Sequence, residues 1–496
     1  MTDNVFFRPS LQRSPIESQQ GWRHALVLGV AALVLTGCGG GSDSESTPPA
    51  PTPSAPAAPE NFTVGSSLDF SWTPTATATR YELFVDPDGS GPLAETQRDP
   101  QRFSYSLASD GSRVTGSFGA YVNFPEALNA SYRLRACNAA GCGSFSDTKA
   151  FDITKGISHE FPSGSVPLVQ YASAYLSTGM LSKDALTLVL TAASYGSNTT
   201  MLVFARSGKN QPWLQQASLQ SGAYYVGGAV LSADGNTLAV RSMKQISTST
   251  GTRVVTDAVY MYRRNGSTWN EQARLDTSTA PSTCAQPCQA EIADHMALSA
   301  DGNLLTVSAV ISSGTTSSSA VFTYTRTGTS WAPQTSLNTE GTFIASMALS
   351  ADGSTLAVTD RDLLQTATTP VVIVFAHDGN GAWSQQSRIP ATLYTYTPPL
   401  SGGRAYGSMV FSSDGNTLAV NTAKVPGQAA CGAPATYSGE TQRIALYSRS
   451  SDTWTLQGQA VSAAQPLTPW AFANDGSALI YGNTLFTRSN GIWACN

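Results

Sequence analysis

The chain has 496 residues, 41% of them hydrophobic and 12% charged, with a formal net charge of −5. That length exceeds one ordinary domain, and the apolar share is enough to build cores. The acidic balance argues against nucleic acid or an anionic membrane surface as partner.

Residues 1–37 are not read as fold. Arg8, Arg13 and Arg23 precede an apolar run from Ala25 to Leu35. The run is too short to span a bilayer as an ordinary helix and fits the apolar region of an export signal. Leu35-Thr36-Gly37-Cys38 resembles the bacterial lipobox. The resemblance implies cleavage before Cys38 and diacylation of its sulfur. Gly39, in place of a retaining aspartate, points to an outer-membrane lipoprotein of the bacterial envelope. Residues 38–59 then form a tether. GGGSDSES is flexible, and TPPAPTPSAPAAP favours extended polyproline conformations.

Residues 60–154 read as a small separate β-domain. Leu68, Phe70 and Trp72 alternate on one strand, and Tyr81, Leu83 and Val85 on the next. Tyr132 to Cys142 reads YRLRACNAAGC. Trp72, Tyr81 and this run resemble a fibronectin type III domain, which implies a spacer or binding module. Asp86-Pro87-Asp88-Gly89 reads as a turn.

Residues 160–496 carry an internal repeat. Leu231 to Val240 reads LSADGNTLAV, Leu298 to Val307 LSADGNLLTV, Leu349 to Val358 LSADGSTLAV and Phe411 to Val420 FSSDGNTLAV. LSKDALTLVL at Leu181 and FANDGSALIY at Phe472 are worn copies. Alternating apolar residues around Asp-Gly predict a tight hairpin, with Asp as turn former and Gly at the positive-φ position. A strand, a polar turn and a Trp-opened strand follow each copy, as in Val259 to Trp269. Four antiparallel strands, repeated six times, predict an all-β chain whose larger part is a six-bladed β-propeller. Residues 166–171 are expected to lengthen the last blade and close the ring. Tyr406-Gly407-Ser408-Met409-Val410-Phe411-Ser412 and the Asp-Gly-Asn-Thr-Leu-Ala-Val halves resemble FG-GAP-type repeats of bacterial surface proteins. The integrin-like calcium loops of such repeats are missing here.

Of seven cysteines, Cys38 is taken by lipid and six remain. Cys137 and Cys142 flank a four-residue turn, and Cys284 and Cys288 flank Ala-Gln-Pro. Cys431 and Cys495 are left, and the blade topology brings them to one face. An oxidising envelope permits all three bridges.

In such blades the Asp-Gly turns share one face. The other carries variable segments: 241–257, 276–291, 359–369, 393–404 and 421–442. Binding is expected on that face. Catalytic motifs are absent from the sequence. Asp294-His295, on an inner strand, and Arg361, between Asp360 and Asp362, are the polar groups that stand out. They read as a channel lining and a loop ion pair. His377 reads as a solvated turn residue. No cofactor, metal or catalytic residue is expected. The favoured reading is a lipid-anchored envelope scaffold, not an enzyme, that binds a protein or glycan and meets the membrane through its lipid alone. The alternatives are a propeller enzyme of glycan lyase, hydrolase or lactonase type with its site in the central channel, and an outer-membrane assembly factor.

Overall fold

The repeated Ser-x-Asp-Gly turn sets the architecture. In Ser232 to Thr237 the Ser232 hydroxyl donates to Asp234 Oδ1 at 2.5 Å and accepts from Thr237 N at 2.9 Å. Asp234 Oδ1 also accepts from Asn236 N at 2.9 Å. The same bonds recur at Ser299/Asp301, Ser350/Asp352 and Ser412/Asp414. Each carboxylate closes its own turn. The turns also join one blade to the next. Lys183 N donates to Ala233 O, Ala233 N to Ala300 O and Ala300 N to Ala351 O, at 2.7–2.9 Å. The glycine is needed twice over: Gly302 has φ +69°, and a Cβ there would lie 2.5 Å from Thr237 Oγ1 of the preceding blade.

The computed structural model describes residues 54–495 apart from 90–95, 98–102, 119–126, 155–165, 169–175, 193–199, 220–224, 281–288, 361–370, 391–408, 427–439, 463–469, 473–477 and segments of one or two residues. Cys38, Cys284, Cys288, Cys431 and Arg361 lie outside the described residues, and Cys495 enters only through its backbone.

The chain is an all-β propeller preceded by a sandwich. Six successive antiparallel sheets have their strands in chain order. Their inner strands are Leu176–Leu181, Tyr225–Leu231, Gln289–Leu298, Ile344–Leu349, Met409–Phe411 and Trp470–Phe472. The outer strand of the sixth blade is Ile492–Cys495, so that blade is complete without help. Val166–Leu168 therefore does not extend it. This strand pairs instead with the inner strand of the first blade, Val166 opposite Leu181. Alternating apolar residues fill the interblade layers; Leu238, Leu305, Leu356 and Leu418, one per turn copy, are fully buried.

The sandwich has two sheets. Thr63–Val64, Asp69–Trp72, Val114–Phe118 and Phe103–Leu107 form one; Thr96–Gln97, Arg80–Asp86, Ser131–Asn138 and Gly141–Phe145 form the other. Trp72, with no exposed surface, lies between them, and Tyr81 packs edge-on against it at 5.0 Å. Cys137 and Cys142 are disulfide-bonded across a hairpin.

One of the variable segments, 241–257, is not a loop, and a second long hairpin lies outside those segments. In the second blade Thr237–Thr248 pairs with Gly251–Asn265 to its tip, Thr248 opposite Gly251. In the third, Leu304–Ser313 pairs with Thr316–Thr327. Both hairpins extend beyond the blade body, and the one in the second blade carries charge. Asp257 accepts from Lys244 and Arg274, and Arg253 reaches Glu291 of the next inner strand at 2.8 Å.

Candidate active site

The inner strands are bulged at matching places. One extra residue sits opposite the second strand at Ser177, Gly227 and Ala345. The third blade has two extra residues. Ile292 pairs with Ala309 and Met296 with Val307, so that Ala293, Asp294 and His295 all face Ser308. A bulge breaks the alternation of a strand and re-aims its side chains. His295 N donates to Ser308 Oγ at 2.9 Å, which pins the bulge to its own blade.

Three blades meet there. Arg241, on the second strand of the second blade, is buried, with 7% of its side chain exposed, whereas Asp294 keeps 59%. Arg241 Nη1 donates to Asp294 Oδ1 at 2.5 Å and to Thr256 Oγ1 at 3.4 Å, and Nη2 donates to Gly227 O at 2.6 Å. A Cβ on Gly227 would run into Met243 and the guanidinium. The glycine thus makes room for the cation. A buried guanidinium fixed on three acceptors holds the accessible carboxylate in one place.

The His295 imidazole is partly buried and hydrogen-bonded to the backbone of Ile344, in the fourth blade. Burial pushes its pKa below the ordinary histidine value. Asp294 and the Ile344 bond act against that shift, and Arg241 adds to it. The ring is neutral at neutral pH. With one nitrogen donating to the Ile344 carbonyl, the other carries a lone pair.

Of the residues singled out in the sequence, the structure keeps Asp294 and His295 together. It adds Arg241, Gly227 and the Ile344 carbonyl, which the sequence reading passed over. A signal for Arg241 existed. At the position after the apolar core of the second strand, other blades carry Thr191, Ser308, Thr359 and Asn421. Only this blade has a long cation there. His377 differs from its reading as a solvated residue: its ring lies against Trp383 at 4.7 Å. Glu82, Cys137 and Cys142 bring ligand atoms within 4.8 Å of one another. The sulfurs are bonded to each other and Arg80 and Arg135 hold the carboxylate, so the trio offers a cation no free donor.

No protein-family model and no curated protein matches the chain. Solved structures do. The chain is similar to a provisional 6-phosphogluconolactonase of Bacteroides fragilis, at 10% identity and a TM-score of 0.41 over 85% of this chain and 95% of that one. It is similar to the periplasmic gluconolactonase of Pseudomonas aeruginosa, at 15% and 0.40, covering 84% and 95%. It is also similar to the oligogalacturonate lyase of Vibrio parahaemolyticus, at 8% and 0.38, covering 79% and 84%. These findings correct the reading of a binding scaffold that is not an enzyme. The solved structures it resembles include lactonases and a lyase, and the pair read as a channel lining is part of an arrangement of imidazole, carboxylate and guanidinium. At such identities the likeness is one of fold, and the choice of reaction rests on this chain's own residues.

Proposed function

We infer that the propeller is a hydrolase of cyclic esters of the sugar-lactone kind, with His295 as general base and Asp294 beside it. The observation that carries this is the neutral imidazole next to an accessible carboxylate that a buried guanidinium fixes. A neutral imidazole can take a proton from water as that water attacks the ester carbonyl. The ring C–O bond then breaks, and the imidazolium returns the proton to the departing alkoxide. Asp294 stabilises the imidazolium while it exists. No protein nucleophile is required. A lyase would need a free cation to neutralise the substrate carboxylate before proton abstraction. Arg241 is already committed to Asp294, Thr256 and Gly227, so it is not free to serve as that cation.

The experiment is a pH-stat assay of the full chain on aldonolactones, corrected for spontaneous opening, with oligogalacturonate as the comparison substrate. His295→Gln should lower the rate by roughly 10²–10⁴-fold. A wild-type rate equal to background, or an undiminished His295→Gln rate, removes the proposal. Double-bond absorbance from oligogalacturonate without lactone opening would replace it with a lyase.

The envelope setting is part of the proposal. Cys38 as lipid attachment site is supported by the Leu35-Thr36-Gly37-Cys38 run. Trp72, Tyr81 and the YRLRACNAAG run support a sandwich of the fibronectin type III kind. A Cys38→Ala protein should lose its acyl chains and wash off membranes; retention at high salt would count against the anchor.

A further inference from the structure

The hairpin closed by Cys137 and Cys142 grips the chain where the tether enters the sandwich. Asn138 Nδ2 donates to Ser54 O at 2.8 Å. Gly143 lies so close to Pro56 that a Cβ there would overlap the Pro56 carbonyl oxygen. Pro56 is buried, although the residues on either side of it are exposed. The bond that shapes this hairpin is asymmetric. Cys137 has no exposed surface, whereas Cys142 is partly exposed. Arg80 Nη2 lies 3.7 Å from Cys142 Sγ. Glu82 in turn accepts from Arg80 at 3.1 Å and from Arg135 at 2.7 Å, which holds the guanidinium beside the sulfur.

We propose that Cys137–Cys142 is an exchangeable bond, opened by an external dithiol at the Cys142 sulfur, and that opening it releases Ser54–Ala57 from the sandwich. A thiolate of the reductant attacks Cys142 Sγ, the only one of the two sulfurs within its reach. The S–S bond breaks, and Cys137 leaves as a thiolate that takes a proton from solvent. The second thiol of the reductant then attacks its own sulfur in the mixed disulfide. Cys142 leaves as a thiolate, and the reductant ends as a disulfide, having given up two electrons. Arg80 acts in both steps. Its charge attracts the incoming thiolate, and it lowers the basicity of the Cys142 thiolate, which speeds its departure. Once the bond is open, the cross-strand clamp is lost and the turn 138–141 is free to move away from Ser54 and Pro56.

The test uses the oxidised full chain with dithiothreitol at neutral pH. Differential alkylation and peptide mapping follow Cys142, and proteinase K cutting within Ser54–Ala57 is read in parallel. Cys142 should become alkylated while tryptophan fluorescence still reports the folded protein, and cutting at the tether should rise with it. Arg80→Gln should slow the opening roughly three- to tenfold, and Arg80→Lys should restore most of the rate. Cys142→Ser, folded by the same fluorescence criterion, should be cut at the tether without reductant. Opening only at the denaturant concentration that unfolds the sandwich would overturn the proposal. So would unchanged protection of Ser54–Ala57 after reduction, or equal rates in the Gln and Lys variants.

Discussion

The side-chain amide of Asn129, in the sandwich, pairs with both backbone groups of Trp213, in the first blade. Its Nδ2 donates to Trp213 O at 2.9 Å, and its Oδ1 accepts from Trp213 N at 2.7 Å. Asn129 thus serves the outer strand as a neighbouring residue would. The Arg206 guanidinium covers the Trp213 ring at 4.4 Å. Beneath this polar seam one apolar cluster runs through both parts, from Leu128, Phe151 and Ile153 to Leu188, Leu190, Phe204 and Trp213. The sandwich is packed onto the first blade as part of its core, not hung beside it as a spacer.

Replacing Asn129 by Ala leaves two buried backbone groups of Trp213 without partners. The expected loss is about 1–3 kcal/mol. Denaturant unfolding of the wild-type chain should show sandwich and first blade melting together. In Asn129→Ala the midpoint should fall, and sandwich signals should separate from propeller signals. An unchanged midpoint would show that the apolar cluster alone joins the two parts.

Gly302 and Gly266 form a matched pair. Both have positive φ, +69° and +62°, but a Cβ on Gly266 meets nothing within 4 Å, whereas one on Gly302 meets Thr237 and Ser232 of the preceding blade. Gly266→Ala should cost about 1–2 kcal/mol for the left-handed backbone alone. Gly302→Ala should cost at least about 1–3 kcal/mol more, because the turn must also back away from its neighbour. Thermal melting of both variants checks the difference, and equal losses would show that the turns do not touch as described.

The turn aspartates make stability depend on acid. Burial raises the pKa of Asp301, Asp352 and Asp414, but hydrogen bonds from the turn serine hydroxyl and from the following backbone and side chain outweigh it, so each lies below the ordinary aspartate value. The unfolded chain therefore binds protons first as pH falls. This stabilisation is fully present above about pH 4 and is lost as pH drops through the lower folded values. Ser350→Ala removes one donor from Asp352 and the acceptor of Thr355 N. Its acid midpoint should move to higher pH, and its stability at neutral pH should fall by about 1–3 kcal/mol. Circular dichroism against pH reads both.

For His295 the neighbours have opposite signs. Asp294 raises its pKa and Arg241 lowers it. Asp294→Asn should push the imidazole pKa further down, and Arg241→Met should bring it back up, as read from the imidazole proton resonances. Because burial already holds the folded value low, the associated stability is complete above about pH 6.5 and declines as pH falls through the folded value. Lactone opening should follow the same titration, rising with pH to a plateau once the ring is neutral. A rate that stays unchanged as the imidazole protonates, on the titration read from its own proton resonances, would argue against His295 as the base.

The sequence by itself determined the repeat and what the repeat makes. Alternation around Ser-x-Asp-Gly is a local property: a hairpin turn is written in four residues, and a strand in the period of its side chains. The six blades, the Trp-opened outer strands, the Trp72 core and the Cys137–Cys142 hairpin could be read at that level. The tertiary structure decided what depends on distance between blades. That Arg241 and Asp294, 53 positions apart, form one ion pair follows from the angle at which consecutive blades pack. The extra residues of the third-blade bulge gain meaning only when the partner strand fixes which residues are left over. Val166–Leu168 went to the first blade and not the last because backbone donors and acceptors pair with whichever strand edge lies within reach, and sequence order does not specify that edge. The neutrality of His295 was out of reach for the same reason. It depends on burial and on a carbonyl from the next blade, and neither exists until the blades have closed around it.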